Sequence, residues 1–138
     1  MTQKQSHFLF SSDYGHIANF EQQKTYVTIP PEEFLAGLAI VTGTVDVPLP
    51  VPKGSIPRTI IEYQGVTMDD PSYVATNGSF QVEEMYDGVF LWQIFWHRKD
   101  NSSVRFEYTI RRYIDDIPYT TPSLTFAIIQ QYLKLPDF

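Results

Sequence analysis

Four carboxylate doublets and three histidines are the side chains of this 138-residue sequence with catalytic chemistry to offer. The doublets are Glu32-Glu33, Asp69-Asp70, Glu83-Glu84 and Asp115-Asp116. Two carboxyls can run glycosidic or acid-protease chemistry when they face one another across a substrate. Neighbours along a strand point to opposite faces, so a doublet does not supply that pair by itself. These acids read as solvated loop and edge charges. The histidines His7, His16 and His97 lack a metal-ligand spacing such as H-x-x-x-H. His16 follows Ser11, Ser12 and Asp13 closely, and these are the residue types of a hydrolytic triad. A triad is defined by geometry and needs an oxyanion hole, and no G-x-S-x-G elbow is present. No glycine-rich phosphate loop occurs, and Gly43 and Gly78 read as isolated turn or bend residues. The absence of cysteine excludes disulfides, thiolate metal sites and cysteine nucleophiles. No residue is therefore assigned to catalysis, metal binding or a cofactor, and a hydrolase built on His16 and Asp13 is the least favoured reading.

The stretch FLWQIFWHRKDNSSVRFEYTIRRY, residues 90–113, holds both tryptophans and five of the ten basic residues. Basic, aromatic sheets bind single-stranded nucleic acid when stacking rings and cations share a face. Here the period is two. Phe90, Trp92, Ile94 and Trp96 fall on one face of a first strand, and Val104, Phe106, Tyr108 and Ile110 on one face of a return strand. Arg105 and Arg111 fall on the opposite face with Glu107, and the arginines of the return strand are expected to look outward. Nucleic acid is not favoured, and a net charge of -6 opposes it further.

Parity also sets the hairpin register. An odd-length loop within residues 99–103, centred on Asn101, pairs Trp96 with Phe106, Ile94 with Tyr108 and Trp92 with Ile110. A one-residue slip would send the aromatic row to the wrong face. Leu91 and Phe95 break the pattern, because they put large apolar groups on the outer face as well. The strand is therefore central, or its outer face is covered by the C-terminal helix expected below, a partner subunit or a ligand such as a sugar. Leu91, Phe95, His97 and Arg111 are the candidate contact surface.

The elements that must carry these residues read as a mainly β single domain over residues 1–138. Apolar residues make up 43% of the chain, enough for a real core, and aromatics at 15% favour strands. Residues 7–10 read as a strand ending at the turn Ser11-Ser12-Asp13. Further strands are expected from Thr25 to the Pro30-Pro31 stop, over Leu38–Val47, from Arg58 to about Gln64, and over residues 79–86. Gly43 marks a bulge or bend in the second of these. PEEFLAG forms a helical turn or a plain turn, and VTMDDPSY a turn on Asp69, Asp70 and Pro71. Prolines 48, 50, 52 and 57 make an extended, exposed connector.

The C-terminal run TTPSLTFAIIQQYLKLP alternates cleanly on neither face. As a helix it gathers Leu124, Phe126, Ile128, Ile129, Tyr132, Leu133 and Leu135 into an arc of about 200°. Thr121 would cap it, Pro122 would start it and Pro136 would end it. The expected architecture is an antiparallel β-sandwich or barrel-like sheet with a short C-terminal helix. No stretch has the length of a membrane span, and the N-terminus lacks a signal-like apolar run. The default is synthesis in the cytoplasm.

The opening residues Phe8, Phe10, Ser12, Asp13 and Tyr14, the strand end Thr28-Ile29-Pro30, and the late Tyr108, Ile110 and Tyr113 carry a family likeness. Across these elements, under half of the chain, the sequence resembles a group of small all-β proteins encoded among phage and prophage tail genes. The resemblance implies a virion- or tail-associated structural part, with no catalytic residues to carry over. Together with the absence of a catalytic cluster and the aromatic strands, it favours a structural or accessory protein that acts through protein contacts and self-association. The alternative reading is a carbohydrate- or small-ligand-binding β-module, which would display Trp or Tyr side chains in a concave face, in its simplest version Trp92 and Trp96.

Overall fold

The computed structural model describes residues 2–11, 16–71, 75–86, 88–113 and 117–134, with side chains from residue 22 onward. Among these, every regular element is a strand. β1 (Thr2–Ser11), β2 (His16–Ile29), β11 (Leu124–Lys134), β5 (Ser55–Tyr63) and β6 (Val66–Asp69) lie side by side in that order in one sheet. β4 (Ile40–Pro48), β9 (Ser103–Arg112), β8 (Gly88–Arg98) and β7 (Asn77–Tyr86) form a second. A two-residue ladder joins β3 (Glu33–Phe34) to β10 (Tyr119–Thr120). All the pairings are antiparallel. No helix among the described residues is long and apolar enough to cross a membrane.

The two large sheets enclose one core. The five-stranded sheet supplies Val27, Ile29, Ile61, Leu124, Phe126 and Ile128 to it. The four-stranded sheet supplies the row Phe90, Trp92, Ile94 and Trp96 with Phe106, Tyr108 and Ile110. Phe126 meets Phe80 and Phe106 edge-on, each at 5.1 Å, so rings from the two sheets interlock. At one end Phe34 packs edge-on against Phe90 at 5.5 Å, and Tyr119 stacks on Phe90 at 5.1 Å.

The hairpin has the register that parity demands: Trp96 opposes Phe106, Ile94 opposes Tyr108 and Trp92 opposes Ile110. Its loop is held by Asp100, whose Oδ1 accepts from the backbone N–H of Ser102 (2.8 Å) and of Ser103 (3.0 Å). The Ser102 hydroxyl, which donates to the same oxygen at 2.7 Å, and then these backbone bonds hold the Asp100 carboxyl below its ordinary pKa. The neighbouring strand is tied in by a fork. Arg105 donates from Nε to Asp46 Oδ1 at 2.7 Å and from Nη2 to Oδ2 at 3.0 Å, with Lys99 Nζ 3.6 Å away. The Arg105 hydrogen bond is the main reason that the Asp46 pKa falls from 3.8 to about 2. A depressed carboxylate stabilises the fold above its unfolded pKa and ceases to do so as the pH drops through its folded one. The Asp46 carboxyl ¹³C signal is therefore expected to titrate near pH 2, and Arg105→Gln should return the midpoint towards 3.8.

Several expectations are corrected. Residues 124–134 form a strand, not a helix. β11 is inserted between β2 and β5, with Ile128 paired to Thr25 on one side and Ile61 on the other. Its even-numbered residues Leu124 to Tyr132 are buried in the core, while Ala127 and Ile129 are buried on the other face. A strand covered on both faces shows no alternation, which is why its apolar run imitates a helix. Thr121 caps nothing: its hydroxyl accepts from Glu32 N–H at 3.0 Å and its N–H donates to Glu32 O at 2.9 Å. Gly43 is not a bulge, because the β4–β9 register runs unbroken through it. A Cβ there would overlap the Tyr108 ring, which crosses the glycine to donate to Glu32 Oε1 at 2.6 Å. Burial, then this bond, raises the Tyr108 pKa to about 12.

PEEFLAG yields the ladder residues of β3 and a plain turn closed by Leu38 N–H on Leu35 O at 3.0 Å. Residues 66–69 are a short strand rather than part of a turn, joined to β5 through Gln64-Gly65 with both φ angles positive, the type I′ signature. The proline-rich connector is not wholly exposed. Leu49 plugs the core at 0% exposure, and Leu49 N–H and Val51 N–H bond to the hairpin loop. The turn at residues 12–13 lies outside the described residues.

Candidate functional site

All four candidate contact residues lie on the outer face of the four-stranded sheet, the face away from the aromatic row. β8 is a central strand there, flanked by β9 and β7, as a two-faced apolar strand requires. Centrality does not bring cover. Phe95 is 56% exposed, and its row neighbours Thr44, Glu107 and Ser79 are exposed as well. Ile40 and Met85 add exposed apolar groups on strands of the same sheet.

The four residues separate into two pairs. Leu91 is half-buried opposite Arg111, which lies along the face and donates from Nε to Gln93 Oε1 at 3.0 Å. Phe95 and His97 line a shallow groove of about 370 Å³ that runs over Asn77, Gly78 and Ser79 to the β7 edge. Its wall is an apolar ring beside an imidazole, an amide and a hydroxyl. That set can bury a side chain and satisfy a few hydrogen bonds. Among the described residues no group of three histidine or acidic side chains could hold a metal ion.

Neither tryptophan is displayed. Trp92 and Trp96 are each 1% exposed, which removes the version of the carbohydrate reading that uses them as stacking platforms. Trp96 donates from Nε1 to Asp69 Oδ2 at 2.8 Å, joining the four-stranded sheet to β6. For the hydrolase reading, Ser12 and Asp13 and the side chain of His16 lie outside the described residues.

The expectation that the return-strand arginines look outward fails for Arg112. It shares the parity of Ile110 and is 7% exposed. Its Nη2 donates to Leu35 O (3.0 Å) and Leu38 O (2.9 Å), its Nη1 to Ile117 O, and its guanidinium sits over Phe34 at 5.3 Å. The even numbering of Arg112 already carried this signal. Arg98 is likewise drawn inward, donating to Leu49 O at 2.8 Å and to the buried Gln130 Oε1 at 3.0 Å. Desolvation lowers its pKa.

Sequence reasoning missed a second feature, on the other sheet. Tyr26 is 55% exposed beside Lys24 and Glu62, which come together only because β11 sits between their strands. Burial of Val27 and Ile29 gives the alternation that places Tyr26 outward, and this much was readable. No family model, no curated protein and no solved structure matches the chain.

Proposed function

We propose that this chain is a structural or accessory protein, a β-sandwich of the kind encoded among phage and prophage tail genes, that acts through protein–protein contacts and self-association. The outer face of the four-stranded sheet is its contact surface. One observation carries the reading: Phe95, a large ring on a central strand, stands in water at 56% exposure. Burying such a ring against a second copy is worth about 1.5–3 kcal/mol, or roughly a ten- to hundredfold change in association constant.

Sedimentation over a range of protein concentrations tests this. The expected result is a mass that rises with concentration for the native chain. Phe95→Glu should hold the protein at the monomer mass with an unchanged melting temperature. A native chain that stays monomeric throughout defeats the self-association reading, and a Phe95→Glu protein that associates equally well defeats the assignment of this face as the contact surface.

A further inference from the structure

The second groove, on the outer face of the five-stranded sheet, has the composition of a ligand subsite. It measures about 420 Å³, and its lining includes Lys24, Tyr26, Glu62, Gln64, Thr125 and Ala127. That volume lies within the roughly 300–1,000 Å³ of small-ligand sites. The strands explain why a depression forms there. Tyr26 on β2 and Glu62 on β5 both pair with Ala127 on β11, so the smallest side chain of the row lies between two long ones. Gln64 stands in the tight turn at the rim with φ 50°.

The chemistry of the lining selects its occupant. Tyr26 offers an exposed ring that apolar C–H groups can cover. Lys24 Nζ sits 5.5 Å from the centre of that ring and 3.5 Å from Glu62 Oε1. This pair is one ammonium with three donors and one carboxylate with about four acceptor sites, so most of their hydrogen-bonding capacity is left over. Gln64 adds an amide, and the Thr125 hydroxyl is already engaged with Thr28 at 2.9 Å. A ring to stack on, with donors and acceptors around it, suits a ligand that has an apolar face and a rim of neutral hydroxyls. A phosphate ligand is disfavoured, because the nearest cation is already paired and the chain is acidic at -6.

We infer that the Tyr26–Lys24–Glu62 groove is a subsite for a neutral pyranose. One C–H face of the sugar covers the Tyr26 ring, and adjacent hydroxyls donate to Glu62 and accept from Lys24. The site is separate from the Phe95 surface, which lies on the other sheet.

The test is an amide-shift titration of the full chain with three probes: cellotriose, maltotriose and triacetylchitotriose. The expected result is saturable movement of the Gln64, Gly65 and Ala127 signals with at least one of them. Tyr26→Ala should weaken that binding about tenfold, the scale of one lost aromatic contact. Tyr26→Phe should retain it, Glu62→Gln should weaken it, and Phe95→Ala should leave it unchanged. Tyr26 is exposed, so dispersed spectra of its variants will show an intact fold. Absence of saturable shifts with all three sugars, shifts centred on other residues, or undiminished binding by Tyr26→Ala would overturn the assignment.

Discussion

Replacing Gly78 by alanine is expected to destabilise the protein by about 2–4 kcal/mol, as overpacking with loss of a part-buried hydrogen bond does. Gly78 lies on β7 opposite Trp96. The indole lies against the glycine, and its Nε1 reaches Asp69 Oδ2 at 2.8 Å on β6. A Cβ on residue 78 would overlap that carboxylate oxygen and come within 2.5 Å of Nε1 and 2.8 Å of Cε2. The tryptophan is 1% exposed and belongs to the packed core. The added methyl group must therefore break the indole–carboxylate bond or push β7 away from β8. A thermal melt should show the transition lowered by about 10 °C for a chain of this size. Coupling supplies the decisive check. Asp69→Ala removes one of the clashing groups, so the double variant should lose clearly less than the sum of the single losses. Strict additivity would mean that the contact does not govern the cost.

The second large effect is expected at Arg112. Arg112→Met keeps most of the side-chain volume but removes the donors to the carbonyls of Leu35, Leu38 and Ile117. Losing these three charge-assisted hydrogen bonds should cost about 3 kcal/mol in total. The loss of the cation over Phe34 adds to this. Arg112→Lys should rescue only part, since an ammonium cannot reproduce a planar fork to separate carbonyls. The adjacent Arg111→Met is the control. It lies on the outer face with a single bond to Gln93, and a surface change of this kind stays within about 0.5 kcal/mol. Urea unfolding of the three variants should show the midpoint falling steeply only for the residue-112 changes, with the slope conserved. Equal effects at 111 and 112 would refute the assigned role of Arg112.

These two residues show where local pattern stops being informative. Gly78 reads as an isolated turn or bend glycine in the sequence. What makes it indispensable is an indole 18 positions later and a carboxylate nine positions earlier. Arg112 sits in the pair RR, and residue type alone sends both outward. The alternation that placed Trp92 and Trp96 correctly places Arg112 inward too, and the loop carbonyls complete the site. The shared outer face of Phe95 and His97 was legible for the same reason: they are two apart on one strand, so they point the same way in any sheet. The Tyr26 groove was not legible, because Lys24 and Glu62 are 38 residues apart and meet across a strand from the far end of the chain.

The sequence by itself determined the β class, the aromatic row, its partners across the hairpin and the residues of the outer face. All of these follow from a period of two and the parity of one short loop, which act between near neighbours. Only the tertiary structure decided that residues 124–134 are a strand, that Gly43 and Gly78 lie beneath aromatic rings, and that Arg112 is an interior residue. Each of those depends on which distant strand lies alongside, and β11, enclosed by β2 and β5 and buried on both faces, retains no surface pattern from which its neighbours could be read.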